Sequence, residues 1–119
     1  MLIVDDEFGL ADVLSHFLTD LGYVVSIAIN GKLALDSLAA NLPDIVLTDA
    51  MMPVMDGPEM IRRMRADPRF AAIPAILMTA LPEAVPEGEA GQHDAVLLKP
   101  FSLSELLETM EPLMKPRSS

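Results

Sequence analysis

The chain contains no cysteine and no tryptophan, and only one tyrosine and four phenylalanines in 119 residues. Without cysteine there is no disulfide framework and no thiolate metal site, which suits a reducing compartment. Basic residues are scarce too: eight lysines and arginines stand against eighteen acids, a formal net charge of −10 at pH 7. Nucleic-acid affinity rests on cations that neutralise phosphates, so this balance argues against direct DNA or RNA binding. No apolar stretch reaches the roughly 18–20 uncharged residues of a membrane span. The opening Met1-Leu2-Ile3-Val4 runs straight into Asp5, Asp6 and Glu7, unlike a signal peptide or an anchor. A cytoplasmic chain without membrane contact is the expectation.

What is present is a chain 51% hydrophobic, its apolar residues set in short blocks along the whole length. That composition fits one packed domain, and the length leaves no room for a second beside it. The blocks alternate between β-like and helical periods, the pattern of an α/β fold with a parallel sheet. Strands are predicted at 2–4, 23–28, 45–48, 75–78 and 95–98. Helical spacing runs from Leu10 through positions 13, 14, 17, 18 and 21, with Gly22 closing that helix. A second helix covers 32–40 after an Asn30-Gly31 turn, and a third begins at Asp56-Gly57-Pro58 and stops near Asp67-Pro68. Ser102 and Glu105 have capping-box spacing, so a last helix starts there with Leu103, Leu106, Leu107 and Met110 facing inward. Pro112 should end or kink it near Glu111. Pro82, Pro86, Gly88 and Gly91 interrupt any period over 81–94, which reads as loop with at most a turn or two of helix.

In open parallel sheets ligands bind outside the carboxyl ends of the strands. The residues at those ends are Asp5-Asp6, Asp49, Thr79 and Lys99: three carboxylates, a hydroxyl and an amine on one edge. Like charges about 4 Å apart cost on the order of 4 kcal/mol even at an effective dielectric near 20, so the carboxylates call for a positive partner. A hard, oxygen-only donor set suits Mg²⁺, which binds through one or two carboxylates and leaves positions open for phosphate oxygens. A carboxylate between such an ion and Lys99 can act as nucleophile toward phosphorus, with Thr79 donating to the product phosphoryl group.

The acidic pair Asp5-Asp6, the run Asp49-Ala50-Met51-Met52-Pro53-Val54-Met55-Asp56-Gly57, Thr79-Ala80 and Lys99-Pro100-Phe101, each at a strand end, together resemble the receiver domain of a two-component response regulator. The resemblance covers nearly the whole chain. It implies a flavodoxin-like, doubly wound five-stranded parallel sheet of order 2-1-3-4-5, with a receiver domain over 1–115 and a tail or linker start at 116–119. It also implies a phosphoacceptor module rather than an enzyme acting on a separate substrate. Asp49 would take a phosphoryl group from a sensor histidine kinase or a histidine phosphotransfer protein, with Thr79 and Lys99 on the phosphoryl oxygens. Mg²⁺ would be held by Asp6, Asp49 and the backbone carbonyl of Met51, with Asp5 acting through water, and a cis peptide would precede Pro100. A downstream protein or output domain would read the change, in a monomer or weak dimer.

Two departures bear on how a signal leaves the site. Receivers commonly carry an aromatic residue three positions before the lysine, and here that position is Val96. The stretch between Thr79 and Lys99 is also short, so the fourth helix is expected to be reduced or irregular and the output face atypical. Met51 and Leu81 are apolar where a polar side chain could position a hydrolytic water, which predicts slow self-dephosphorylation. Two other functions share the topology. A flavin or nucleotide site would place glycines and hydroxyls after the first strand, where Asp5-Asp6-Glu7 repels phosphate without a metal. A degenerate receiver would instead serve as a phosphorylation-independent interaction scaffold. Blander roles for individual residues are a helix N-terminal function for Asp5 and Asp6, core filling for Met51, Met52 and Met55, a solvated face for Arg62, Arg63, Arg65 and Arg69, and solvated positions for His16 and His93.

Overall fold

The computed structural model describes residues 1–85 and 92–114. Five parallel strands, β1 (Leu2–Val4), β2 (Ser26–Ala28), β3 (Val46–Asp49), β4 (Ala75–Thr79) and β5 (Ala95–Leu98), form one sheet in the order β2-β1-β3-β4-β5. Helices α1 (Phe8–Asp20), α2 (Gly31–Ala40), α3 (Gly57–Ala66) and α4 (Leu103–Met114) cover its two faces.

Strand side chains alternate between those faces with period two. Leu2, Val4, Val46, Ala75 and Leu77 join the core beneath α2 and α3, while Ile3, Leu47, Ile76, Met78 and Leu97 join the one beneath α1 and α4. Both faces of the central strands are therefore apolar, as a doubly covered parallel sheet requires. The registers Val4↔Thr48 and Asp49↔Met78 bring the ends of β1, β3 and β4 to one edge.

Local chemistry sets the helix ends. Gly22, at φ 100°, closes α1: its N–H donates to Thr19 O at 2.9 Å and the Tyr23 N–H to Leu18 O at 3.0 Å, a glycine-dependent C-terminal motif. Asn30 accepts from the Leu33 N–H and Asp56 from the Glu59 N–H, each at 2.9 Å, capping α2 and α3. The capping box of α4 is complete, with Ser102 N–H donating to Glu105 at 3.2 Å and Glu105 N–H to Ser102 Oγ at 3.0 Å.

Several elements differ from expectation. Strand β2 spans only Ser26–Ala28; ahead of it Tyr23 and Val25 lie against the core beneath α1 and α4, while Val24 is exposed. Helix α1 begins two residues early, at Phe8. Helix α4 continues through Pro112 to Met114. A proline in the last turn removes a single helical hydrogen bond, and Leu113 and Met114 are held by core contacts. Leu103 is exposed, whereas Leu106 and Met110 are buried. Between β4 and β5 the described residues hold one 3₁₀ turn, Pro82–Ala84. The rest of the expected irregular region, 86–91, lies outside the described residues, as does the 115–119 end.

Candidate functional site

The carboxyl edge of the sheet brings Asp5, Asp6, Asp49, Thr79 and Lys99 together. Carboxylate oxygens of Asp5, Asp6 and Asp49 lie within 4.8 Å of one another. Lys99 Nζ stands 3.0 Å from Asp49 Oδ1 and 3.9 Å from Asp5 Oδ2. Asp49 and Thr79 are buried, Asp6 is exposed, and Asp6, Glu7, Asp49, Met51, Thr79, Leu81 and Lys99 line an open depression of ≈ 290 Å³. Lys99 thus pairs with two of the three carboxylates, and negative charge stays in excess.

Asp5 is the most constrained member. Its Oδ1 accepts from the Glu7 N–H at 2.8 Å, anchoring the start of α1, where the Glu7 side chain caps nothing. The helix-terminus role and the site role therefore fall on one carboxylate. Its Oδ2 is buried with no hydrogen-bond partner. Burial pushes the Asp5 carboxyl above the ordinary carboxylate range; the Glu7 N–H and Lys99 oppose that rise, and Asp49 and Glu7 add to it. A buried oxygen lacking a donor, beside two further hard oxygens, fits a divalent cation such as Mg²⁺.

Asp49 is placed by backbone packing. It ends β3, and its carbonyl accepts from Thr48 Oγ1 at 3.0 Å. The Gly57 N–H donates to Ala50 O at 2.9 Å, and a Cβ on Gly57 would collide with the Asp49 carbonyl and lie 2.9 Å from Leu77 Cδ1. Glycine at 57 is what lets α3 begin directly under the acceptor strand. Within the loop, the Met55 N–H donates to Pro53 O at 2.8 Å around Val54, whose φ of 72° is rare for a β-branched residue. Met52 and Met55 pack on the core, but Met51 is 60% exposed and borders the site, so the core-filling expectation fails for Met51.

At the end of β4, Thr79 Oγ1 accepts from the Leu81 N–H at 3.0 Å and donates to Leu81 O at 3.3 Å. The peptide between Lys99 and Pro100 is cis, and the Lys99 N–H donates to Thr79 O at 2.8 Å. Beside Lys99, Leu10, Val13, Ala80, Pro100, Phe101 and Leu103 line an apolar groove of ≈ 540 Å³.

The arginines are not one solvated face. Arg62 and Arg63 pair with Glu59, and Arg69 pairs with Asp67. Arg65 is largely covered and bonds Ile73 O, Gln92 O and Asp94 Oδ2 at 2.8, 3.1 and 2.8 Å. His16 is exposed and lies 3.5 Å from Asp12, away from the site. Sequence reasoning missed the Thr79–Leu81 contacts and the lining role of Glu7; the only signal for Glu7 was its place directly after the acidic pair.

Residues 1–111 match the response regulator receiver domain family. The chain is 39% identical over 121 residues to response regulator MprA of Mycobacterium sp. strain KMS, covering 99% of this chain and 51% of that protein. It spans about half the length of the curated relatives it matches. Among solved structures, a putative response regulator from Chloroflexus aurantiacus superposes with a TM-score of 0.89 at 31% identity, covering 97% of this chain and 96% of that one. The receiver domain of sensor histidine kinase PA1611 from Pseudomonas aeruginosa, solved with magnesium coordinated in its active-site cleft, gives 0.87 at 28% identity, covering 97% and 96%.

Proposed function

Because the chain belongs to the response regulator receiver domain family, we propose that it accepts a phosphoryl group on Asp49 in a Mg²⁺-dependent reaction and passes on the change through an output face without the usual aromatic switch. The observation that carries this reading is the 3.0 Å approach of Lys99 to Asp49 at an edge where Asp5 keeps a buried oxygen with no hydrogen-bond partner. Asp6, Asp49 and the Met51 carbonyl would hold the ion, with Asp5 acting through water. A bound Mg²⁺ supplies positive charge to the phosphoryl oxygens.

The chain's own groups do the rest. An Asp49 oxygen forms a bond to phosphorus as the P–N bond of a phosphohistidine breaks, and the electron pair of that bond returns to the ring. When the second ring nitrogen carries a proton, neutral imidazole leaves. Lys99 offsets charge on the transferring group, and Thr79 donates to one of its oxygens. The donor would be a sensor histidine kinase or histidine phosphotransfer protein. The groove of Leu10, Val13, Phe101 and Leu103 next to Lys99 suits the apolar side of a helix that carries the phosphohistidine. In a longer protein an output domain would read the state; in a free-standing one, a partner protein would.

The test is intact-protein mass after incubation with acetyl phosphate, with and without Mg²⁺, for wild type and Asp49→Ala. One phosphoryl adduct requiring both the ion and Asp49 is expected. No adduct on the wild type would overturn the reading and favour a phosphorylation-independent scaffold.

A further inference from the structure

We propose that β2 is an interaction edge that pairs antiparallel with β2 of a second copy of this chain, joining two five-stranded sheets across a two-fold axis at Ile27. The pairing is independent of the phosphoacceptor reading. An edge strand carries a row of unpaired N–H and C=O groups, and proteins guard such a row with charge, proline or a covering element. The two edges of this sheet differ in that respect. Strand β5 is bounded by Asp94 on one side and by Lys99-Pro100 on the other, whereas residues 21–31, which contain β2, carry no charged side chain and no proline. Along that run Val24 is 84% exposed, Ile29 52% and Ile27 37%.

The ladder fixes which backbone groups of β2 are free. The Ser26 N–H donates to Met1 O, Val24 O accepts from the Met1 nitrogen and Ala28 O accepts from the Asp5 N–H, so Val24, Ser26 and Ala28 face β1. Alternation along the strand then turns the N–H and C=O of Ile27 outward, where a second strand can meet them. With Ile27 on the axis, each copy's Ile27 exchanges two hydrogen bonds with the other's, Ser26 stands opposite Ala28, and Val25 opposite Ile29. The pairs on the α1 side of the sheet are then all β-branched, and no pair sets like charges against each other. Charge selects this edge for self-pairing: a chain of net charge −10 repels its own copy, and least where its surface is neutral. Because both copies use the same strand, the contact closes at two and covers the edge of each.

Sedimentation equilibrium of the 119-residue chain over a concentration series tests this. A reversible dimer with a Kd on the order of 0.1 mM is expected, because strand pairing buries less than a standard interface. Ile27→Lys sets two ammonium groups on the axis, and Ile27→Pro removes the outward N–H without touching a bond to β1. Each should weaken the dimer at least about tenfold, with its fold verified by circular dichroism. The absence of native cysteine allows a second reading that does not rest on those variants. Cα atoms of a hydrogen-bonded antiparallel pair lie about 5.5 Å apart, within the range a disulfide spans. Under mild oxidation Ile27→Cys should therefore crosslink at least about tenfold faster than Leu98→Cys, although Leu98 on β5 is the more exposed of the two. A wild type that stays monomeric to about 1 mM overturns self-pairing and leaves the edge to a strand of a different protein. A dimer that survives Ile27→Lys and Ile27→Pro, equal crosslinking of the two cysteine variants, or growth beyond two copies also overturns it.

Discussion

Residues 49–57, which leave β3, and residues 79–85, which leave β4, start side by side on one sheet edge. The first segment is fixed by backbone against backbone: Gly57 sits where no Cβ fits against Asp49 and Leu77, and a Cβ on Gly31 would come within 2.8 Å of Met55 O. The second is held by the Thr79 hydroxyl, one turn bond, the Lys99 N–H bond to Thr79 O and the packing of Val85. Chemistry that needs carboxylates held near one another despite their repulsion is built on the rigid segment. A segment held by few contacts opens at lower free energy.

Gly57→Ala should break the rigid side most severely, costing about 3 kcal/mol or more in urea unfolding, because the new methyl group meets backbone that cannot give way. A loss under about 1 kcal/mol would show that α3 can shift away from Asp49. The double variant Met51→Asn, Leu81→Glu places one polar group on each segment at the lining of the site. It should shorten the aspartyl-phosphate half-life about tenfold by orienting a water, as read by loss of the adduct over time. A longer half-life than wild type would refute the assignment of these two positions to water control.

Asp5→Asn probes the charge at the same sheet edge. Burial raises the Asp5 pKa, so the folded state holds this proton more tightly than the unfolded chain. Its contribution favours folding in acid and is lost as pH rises through the folded value, and at neutral pH the ionised group opposes folding. In metal-free buffer at pH 7, Asp5→Asn should therefore raise Tm by a few degrees, a gain that vanishes near pH 3. An unchanged or lower Tm at pH 7 would mean that Lys99 already compensates this charge. The smallest effect is expected at Val54: a φ of 72° strains a β-branched residue but not glycine, so Val54→Gly should stabilise by up to about 1 kcal/mol after the greater chain entropy of glycine is offset.

These regions also differ in how far their residues announced themselves. The strand alternation and the five groups at the strand ends were legible, because a doubly covered parallel sheet leaves no other place for polar residues inside an apolar run. The caps at Asp56 and Ser102 were legible, since capping is a local contract between residues three apart, whereas Asn30 read as a turn and proves to cap α2, which starts at Gly31. Arg65 was not. It shares its spacing with Arg62 and Arg69, and only contacts 27 and 29 residues away, at Gln92 and Asp94, distinguish it. Nothing near Val54 in sequence requests a positive φ; the loop imposes it by placing Met55 against Gly31 and Asp56 at the start of α3. Pro112 misled because the rule for helix interiors weakens in a last turn that core contacts already hold.

The proposed divalent ion would supply the positive charge that the three carboxylates lack. Calorimetric titration of Mg²⁺ into wild type, Asp5→Asn and Asp49→Ala tests it most directly. The wild type should bind one ion, with affinity at least about tenfold weaker in each variant, since Asp49→Ala removes a carboxylate ligand and Asp5→Asn removes a negative charge that acts on the ion through water. Binding of equal strength in all three proteins would contradict it.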